Sequence, residues 1–120
     1  MIVDRCKDIE EFKIFYEKYA NERIDTVENV LSLPHFCFYD EKTEELLGCI
    51  YLEMDNGLLC LSGFSKHKQM DKVIEAITWV SNFMHLDNLY SHTNKKCAKI
   101  VLLKCGFKKI NDELFLRKAF

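Results

Sequence analysis

Two apolar runs, Leu46 to Met54 and Leu58 to Phe64, are separated only by Asp55-Asn56-Gly57. Asn-Gly tolerates the positive φ angles of a tight hairpin turn, so the two runs read as paired antiparallel strands. A third run, Phe36 to Tyr39, joins them through the charged turn Asp40 to Glu45. Three such strands in the middle of a chain need apolar faces laid against them, and the flanking segments must supply those faces.

The flanking segments have the helical period. Asp8 to Ala20 gathers Ile9, Phe12, Phe15, Tyr16 and Tyr19 on one broad face, with Glu10, Glu11, Lys13, Glu17 and Lys18 elsewhere and Asp8 near the start. A shorter helix is predicted over Asp25 to Leu33, ending ahead of Pro34, which disfavours helical geometry in the residue before it. Gln69 to Met84 returns to helical spacing, with Met70, Val73, Ile74, Ile77, Val80 and Met84 as the buried stripe. Asn88 to Thr93 reads as a short strand. Lys95 to Cys105 reads as a helix with Ala98, Val101, Leu102 and Cys105 on one face, and Gly106 suits the left-handed position at its end. Two closing strands, Phe107 to Ile110 and Glu113 to Arg117, flank the turn at Asn111-Asp112. The order is strand, helices, three strands, helix, strand, helix, two strands. This predicts one α/β (α+β) domain over residues 1–120, without repeat, linker or internal boundary.

Composition narrows the function classes. Apolar stretches are broken well short of the roughly 20 residues that span a bilayer, and the acidic N-terminus lacks a signal-peptide pattern. A net charge of −2, with both signs mixed along the chain, gives no electrostatic reason to expect nucleic acid, and no basic amphipathic arm points to a membrane. The six cysteines form no Cys-x-x-Cys pair and no Cys/His cluster at zinc-finger spacing. They are expected to be free, mostly buried thiols of a cytoplasmic protein, with no metal centre.

The element order, closing with a helix followed by Gly106-Phe107, resembles that of the GNAT superfamily, whose members mostly move an acetyl group from acetyl-CoA to an amine. The resemblance covers nearly the whole chain and is best from His35 to Phe120. The segment Ala98 to Phe107, Ala-x-x-x-x-x-x-Cys-Gly-Phe, looks like the family's helix-to-strand ending, and Leu47-Gly48 after the charged turn is similar to its second and third strands. The resemblance implies a mixed, mostly antiparallel sheet of six or seven strands with about four helices. It also implies acetyl-CoA as cosubstrate between splayed fourth and fifth strands, with a CoA thioester and an amine acceptor as partners.

In that family the fourth strand leads into a Gln/Arg-x-x-Gly-x-Gly/Ala loop at a helix N-terminus, where unpaired N–H groups and the helix dipole hold the pyrophosphate. The corresponding segment here runs from Phe64 to Ile74, and Gln69 can be set against the leading Gln/Arg. Lys72 and Ile74 then stand where the glycines would be, and a Cβ there crowds a phosphate. The resemblance thus assigns cofactor contact to Phe64, Ser65, Lys66, Lys68 and Gln69. Lys66, His67 and Lys68 read either as side-chain partners of a phosphate or as a solvated basic loop.

The tyrosine that many family members carry on the last helix, four residues before the Gly-Phe glycine, is Leu102 here. The usual asparagine near the start of that helix has its counterpart in Asn94, displaced by one residue. Candidate catalytic groups are Tyr90 and His92, which alternate onto one face of their strand, and Glu53, a base if burial raises its pKa. Each also reads as an ordinary structural or exposed residue. Phe12, Phe15, Tyr16 and Tyr19 read as acceptor wall or as core, and Cys60 and Cys105 as packing. The function implied is a small N-acetyltransferase with a degenerate pyrophosphate loop. The alternative is a non-catalytic binding or assembly module, with a homodimer or an assembly protein as partner. Gly63-Phe64-Ser65 after the fourth strand also resembles small GNAT-like bacteriophage proteins, some connected with head assembly, which implies a virion or host-cytoplasm location.

Overall fold

Asn56 and Gly57 take φ angles of 51° and 79°, and the hairpin they close pairs Asp55 with Leu58 through to Gly48 with Ser65. The computed structural model describes residues 1–20 and 25–118, so the last two residues of the stretch that best matches the GNAT pattern lie outside it. The elements are β1 (Ile2–Asp4), α1 (Ile9–Tyr19), α2 (Val27–Ser32), β2 (His35–Tyr39), β3 (Leu46–Asp55), β4 (Leu58–Ser65), α3 (Met70–Phe83), β5 (Asn88–His92), α4 (Lys96–Lys104), β6 (Lys108–Lys109) and β7 (Leu114–Lys118). They form a seven-stranded sheet in the order β1-β2-β3-β4-β5-β7-β6, antiparallel except between β4 and β5.

Helix boundaries follow local chemistry. The Asp8 carboxylate accepts the N–H groups of Glu10 (3.0 Å) and Glu11 (3.2 Å), and the Thr26 hydroxyl accepts that of Asn29 (3.1 Å), which caps α1 and α2. Gly106, at φ 91°, ends α4 in the left-handed region, and the Phe107 N–H donates back to the Leu102 carbonyl at 3.0 Å. That six-to-one bond satisfies a carbonyl that a helix end would otherwise leave open, and it turns Phe107 into the core beside Leu102.

Strand alternation divides the core between the two sheet faces. On one, Phe12, Phe15 and Tyr16 of α1 and Val27 and Val30 of α2 cover Cys37, Tyr39, Cys49 and Tyr51. On the other, Ala76 and Ile77 of α3 and Leu102 of α4 cover Phe38, Ile50, Leu52, Leu61, Leu89 and Phe115. A register shift between Phe38 and Tyr39 reverses the alternation of β3, so that Leu46 joins the α1/α2 side and Leu47 the α3/α4 side. The predicted stripe of α3 is narrower than expected: Ile77 and Val80 are buried, joined by Ala76 and Ser81, whereas Met70 and Met84 lie at the helix ends and are exposed. Ile9 is likewise exposed, because it sits in the first turn of α1, beyond the sheet. All six cysteines are free thiols, four of them buried. No described helix is long and apolar enough to cross a membrane.

Candidate functional site

The one parallel seam of the sheet is its weakest. β4 and β5 pair only at Cys60 and Tyr90. One residue further along, the buried Ser91 hydroxyl donates to the Leu61 carbonyl at 2.9 Å, a side chain standing in for a ladder bond. From Ser62 to Ser65 β4 remains paired with β3, while its β5-side edge has no strand partner among the described residues. The seam therefore parts, leaving strand backbone of β4 unpaired on its β5 side among the described residues.

At the open end of that seam, the loop 66–69 joins β4 to α3. The Lys66 N–H is tied to the Leu47 carbonyl (2.9 Å), Lys68 takes φ 62°, and Gln69 occupies the N-cap without its side chain accepting a bond. The first helical bond is Val73 N–H to the Gln69 carbonyl, so the N–H groups of Met70, Asp71 and Lys72 find no partner within the helix. Lys72 and Ile74 lie inside α3 and not in the loop, so neither has to adopt the left-handed backbone that a glycine position would impose. That burden falls on Lys68 alone among these residues, at a cost of about 1–2 kcal/mol.

The residues proposed from sequence fall into two groups. Ser65, Lys66, Lys68 and Gln69 surround the α3 N-terminus. There the Ser65 hydroxyl contacts the Lys66 carbonyl at 3.1 Å, the Lys66 ammonium is paired with Glu45, and Lys68 is exposed with no ion pair among the described residues. Phe64 contributes backbone to the unpaired edge of β4, but its ring turns away and packs against Phe12 (5.8 Å), Phe15 (6.0 Å) and Tyr16 (5.3 Å). Asn94 is exposed in the β5–α4 connection.

The second group lies on the α1/α2 face of the sheet. Glu53 stands opposite Cys60 across the β3–β4 ladder, Tyr90 stands opposite Cys60 across the seam, and His92 follows two residues later on the same face. Partial burial, with the carboxylates of Asp25 and Asp55 nearby, raises the Glu53 pKa. Burial, then Asp55 and Glu53, raises that of the Cys60 thiol. The Leu102 side chain, in the place of the family tyrosine, is buried in the core beneath the other face.

Asp25 and Tyr51 are neighbours not foreseen from sequence. Asp25 accepts the Tyr51 hydroxyl on its carboxylate (3.3 Å) and the Tyr16 hydroxyl on its backbone carbonyl. Burial, reinforced by the Asp25 charge, pushes the Tyr51 hydroxyl well above its ordinary pKa. Tyr16 and Asp25 also line a cavity of about 480 Å³ with Lys13, Glu17, Thr26 and Glu28, between α1 and the start of α2. Tyr16 thus touches the cavity on one side and Phe64 of β4 on the other.

The fold is shared with solved acetyltransferases. The chain superposes on an N-acetyltransferase from Staphylococcus aureus with a TM-score of 0.70 at 14% identity, covering 99% of each chain. The fold is the GNAT fold. The ribosomal-protein-S18-alanine N-acetyltransferase of Escherichia coli matches at TM-score 0.69 and 7% identity, over 98% of this chain and 93% of that one. A GNAT-family acetyltransferase from Bacillus anthracis matches at TM-score 0.61 and 14% identity, over 78% and 70%. No protein-family model matches the sequence, and no curated protein matches it.

Proposed function

We propose that this GNAT-fold chain is an N-acetyltransferase that takes acetyl-CoA in the β4–β5 cleft and a cationic amine in the cavity between α1 and α2. The observation that carries the reading is the juxtaposition of an open strand edge, Ser62 to Ser65, with the uncapped N-terminus of α3 at its end. An open edge pairs with an amide-bearing chain, and a helix start with free N–H groups suits a phosphate, so a ligand carrying both is accommodated without a glycine cradle. Lys68, without an ion pair among the described residues, adds a positive charge at the phosphate end, and Asn94 in the β5–α4 connection is the further candidate for contact with the cofactor. Acetyl-CoA supplies the activated acyl thioester.

On the acceptor side, the described lining of the cavity carries the carboxylates of Asp25 and Glu28, a setting that suits a positively charged amine. Glu53, its carboxyl raised by burial and by Asp25 and Asp55, is the base that removes the ammonium proton. Tyr90, on the same face where the cleft begins, is the candidate donor to a leaving thiolate, a role the buried Leu102 does not fill. A non-catalytic binding module is the second reading, favoured by Leu102 and by the exposed Trp79–Phe83 stack (ring centroids 4.8 Å apart) on α3.

Calorimetric titration with acetyl-CoA and with CoA alone separates the two. Micromolar affinity that falls when Lys68 and Gln69 are replaced by alanine supports the enzyme. Loss of acetyl transfer by about 10²-fold or more in Glu53→Gln, with acetyl-CoA affinity unchanged, supports the assigned base. A folded protein that gives no heat at millimolar ligand overturns the cleft assignment and leaves the binding module.

A further inference from the structure

We propose that Asp55, Cys60 and His92 form a zinc(II) site that clips β3, β4 and β5 together where the parallel seam begins to part. One ligand atom from each residue, a carboxylate oxygen, a thiol sulfur and an imidazole nitrogen, lies within 4.8 Å of both others. Zinc bonds of about 2.0–2.3 Å set tetrahedral ligands about 3.3–3.8 Å apart, so shifts of roughly 1.5 Å or less close the site.

The backbone favours that closure. Cys60 is held between two strands, opposite Glu53 on one side and Tyr90 on the other, and is only 6% exposed. Asp55 and His92 stand at the ends of β3 and β5 and are exposed, so their side chains are free to move onto the fixed sulfur. The site stands on three strands that linear spacing does not bring together, and it departs from the expectation of no metal drawn from cysteine spacing.

The surroundings of Cys60 do not suit a packing cysteine. Cys37 and Cys49 belong to the core under α1 and α2, and Cys105 to the core under α3 and α4. Cys60 is buried but belongs to neither cluster, and its neighbours on the sheet face are Glu53, Asp55, Tyr90 and His92. A thiolate, an imidazole and a carboxylate are a borderline-soft donor set of the kind zinc takes, whereas calcium and magnesium take oxygen alone. The thiolate and carboxylate charges balance the divalent ion, and Glu53 adds a further negative charge nearby. On binding, the Cys60 S–H bond is replaced by a Zn–S bond and the proton passes to the buffer, with no change of oxidation state. Three protein ligands leave the fourth position for water. The site stands beside Glu53 and Tyr90, yet metal binding is read without acetyl-CoA and is tested whether or not acetyl transfer occurs.

The test uses the full chain, reduced and stripped with a chelator, titrated with cobalt(II) as a spectroscopic stand-in and then with zinc(II). The expected result is a thiolate-to-cobalt charge-transfer band that saturates at one equivalent and is displaced by one equivalent of zinc, with a zinc-dependent rise in Tm. Cys60→Ser abolishes the band. His92→Ala and Asp55→Asn, both surface changes that leave the fold intact, each weaken zinc binding by about tenfold or more. Cys97→Ser, at the exposed cysteine, changes nothing. The proposal is overturned if no charge-transfer band forms at millimolar cobalt, if the band survives Cys60→Ser or vanishes with Cys97→Ser, or if His92→Ala and Asp55→Asn bind zinc like the parent.

Discussion

Gly48 shows how closely single residues are fitted here. A Cβ at this position would overlap the Phe38 ring and stand 2.7 Å from the Phe64 carbonyl oxygen, and a backbone atom in a central strand has nowhere to retreat. Gly48→Ala is expected to destabilise by about 1–3 kcal/mol, read as a lower urea midpoint with an unchanged slope. Asp40 makes a different kind of point. Its carboxylate accepts the N–H groups of Thr43 and Lys42, both at 2.9 Å, and these bonds hold its pKa below the ordinary carboxylate value. A depressed folded-state pKa gives stability that is present above the unfolded value and lost as pH falls through the folded one. Asp40→Ala should therefore melt earlier than the parent at neutral pH, and the gap should close as the pH drops below the carboxylate range. Thermal melts across that range check it.

Among the elements, β4 and β5 share the shortest ladder of the sheet. Its single ladder pair is extended only by the Ser91 hydroxyl, which satisfies a buried carbonyl of Leu61. Ser91→Ala leaves that carbonyl without a partner, and a loss of about 1–3 kcal/mol is expected, with hydrogen exchange accelerating first in β5. The strands and helices themselves were legible because each has an unmistakable local cause: Asn56-Gly57 for the hairpin, Asp8 for the start of α1, Pro34 for the end of α2, and Gly106 for the end of α4. The hairpin turn even sets the register that places Glu53 opposite Cys60. What sequence did not reveal depends on the long connection through α3, which decides that His92 comes beside Cys60 and Asp55, and on the α1–α2 region, which brings Asp25 to Tyr51. The inward turn of the Phe64 ring was also hidden, since an apolar residue on a strand fits a cleft as well as a core until α1 is in place. On α3, the outer methionines matched the helical period but lay beyond the reach of the sheet.

At the scale of the whole molecule, the described helices cover both faces of a seven-stranded sheet whose parallel seam parts on the side of β4 that leads to α3. Nothing in the loop 66–69 matches a glycine-rich cradle, which leaves phosphate recognition, as proposed, to the first amides of α3 and to Lys68. Amide chemical shifts, recorded on isotope-labelled protein during titration with acetyl-CoA, test this most directly. Saturable shifts are expected, concentrated at Ser62 to Ser65, Met70 to Lys72 and Tyr90. Shifts confined to the exposed face around Trp79 and Phe83, or none at millimolar ligand, would contradict it.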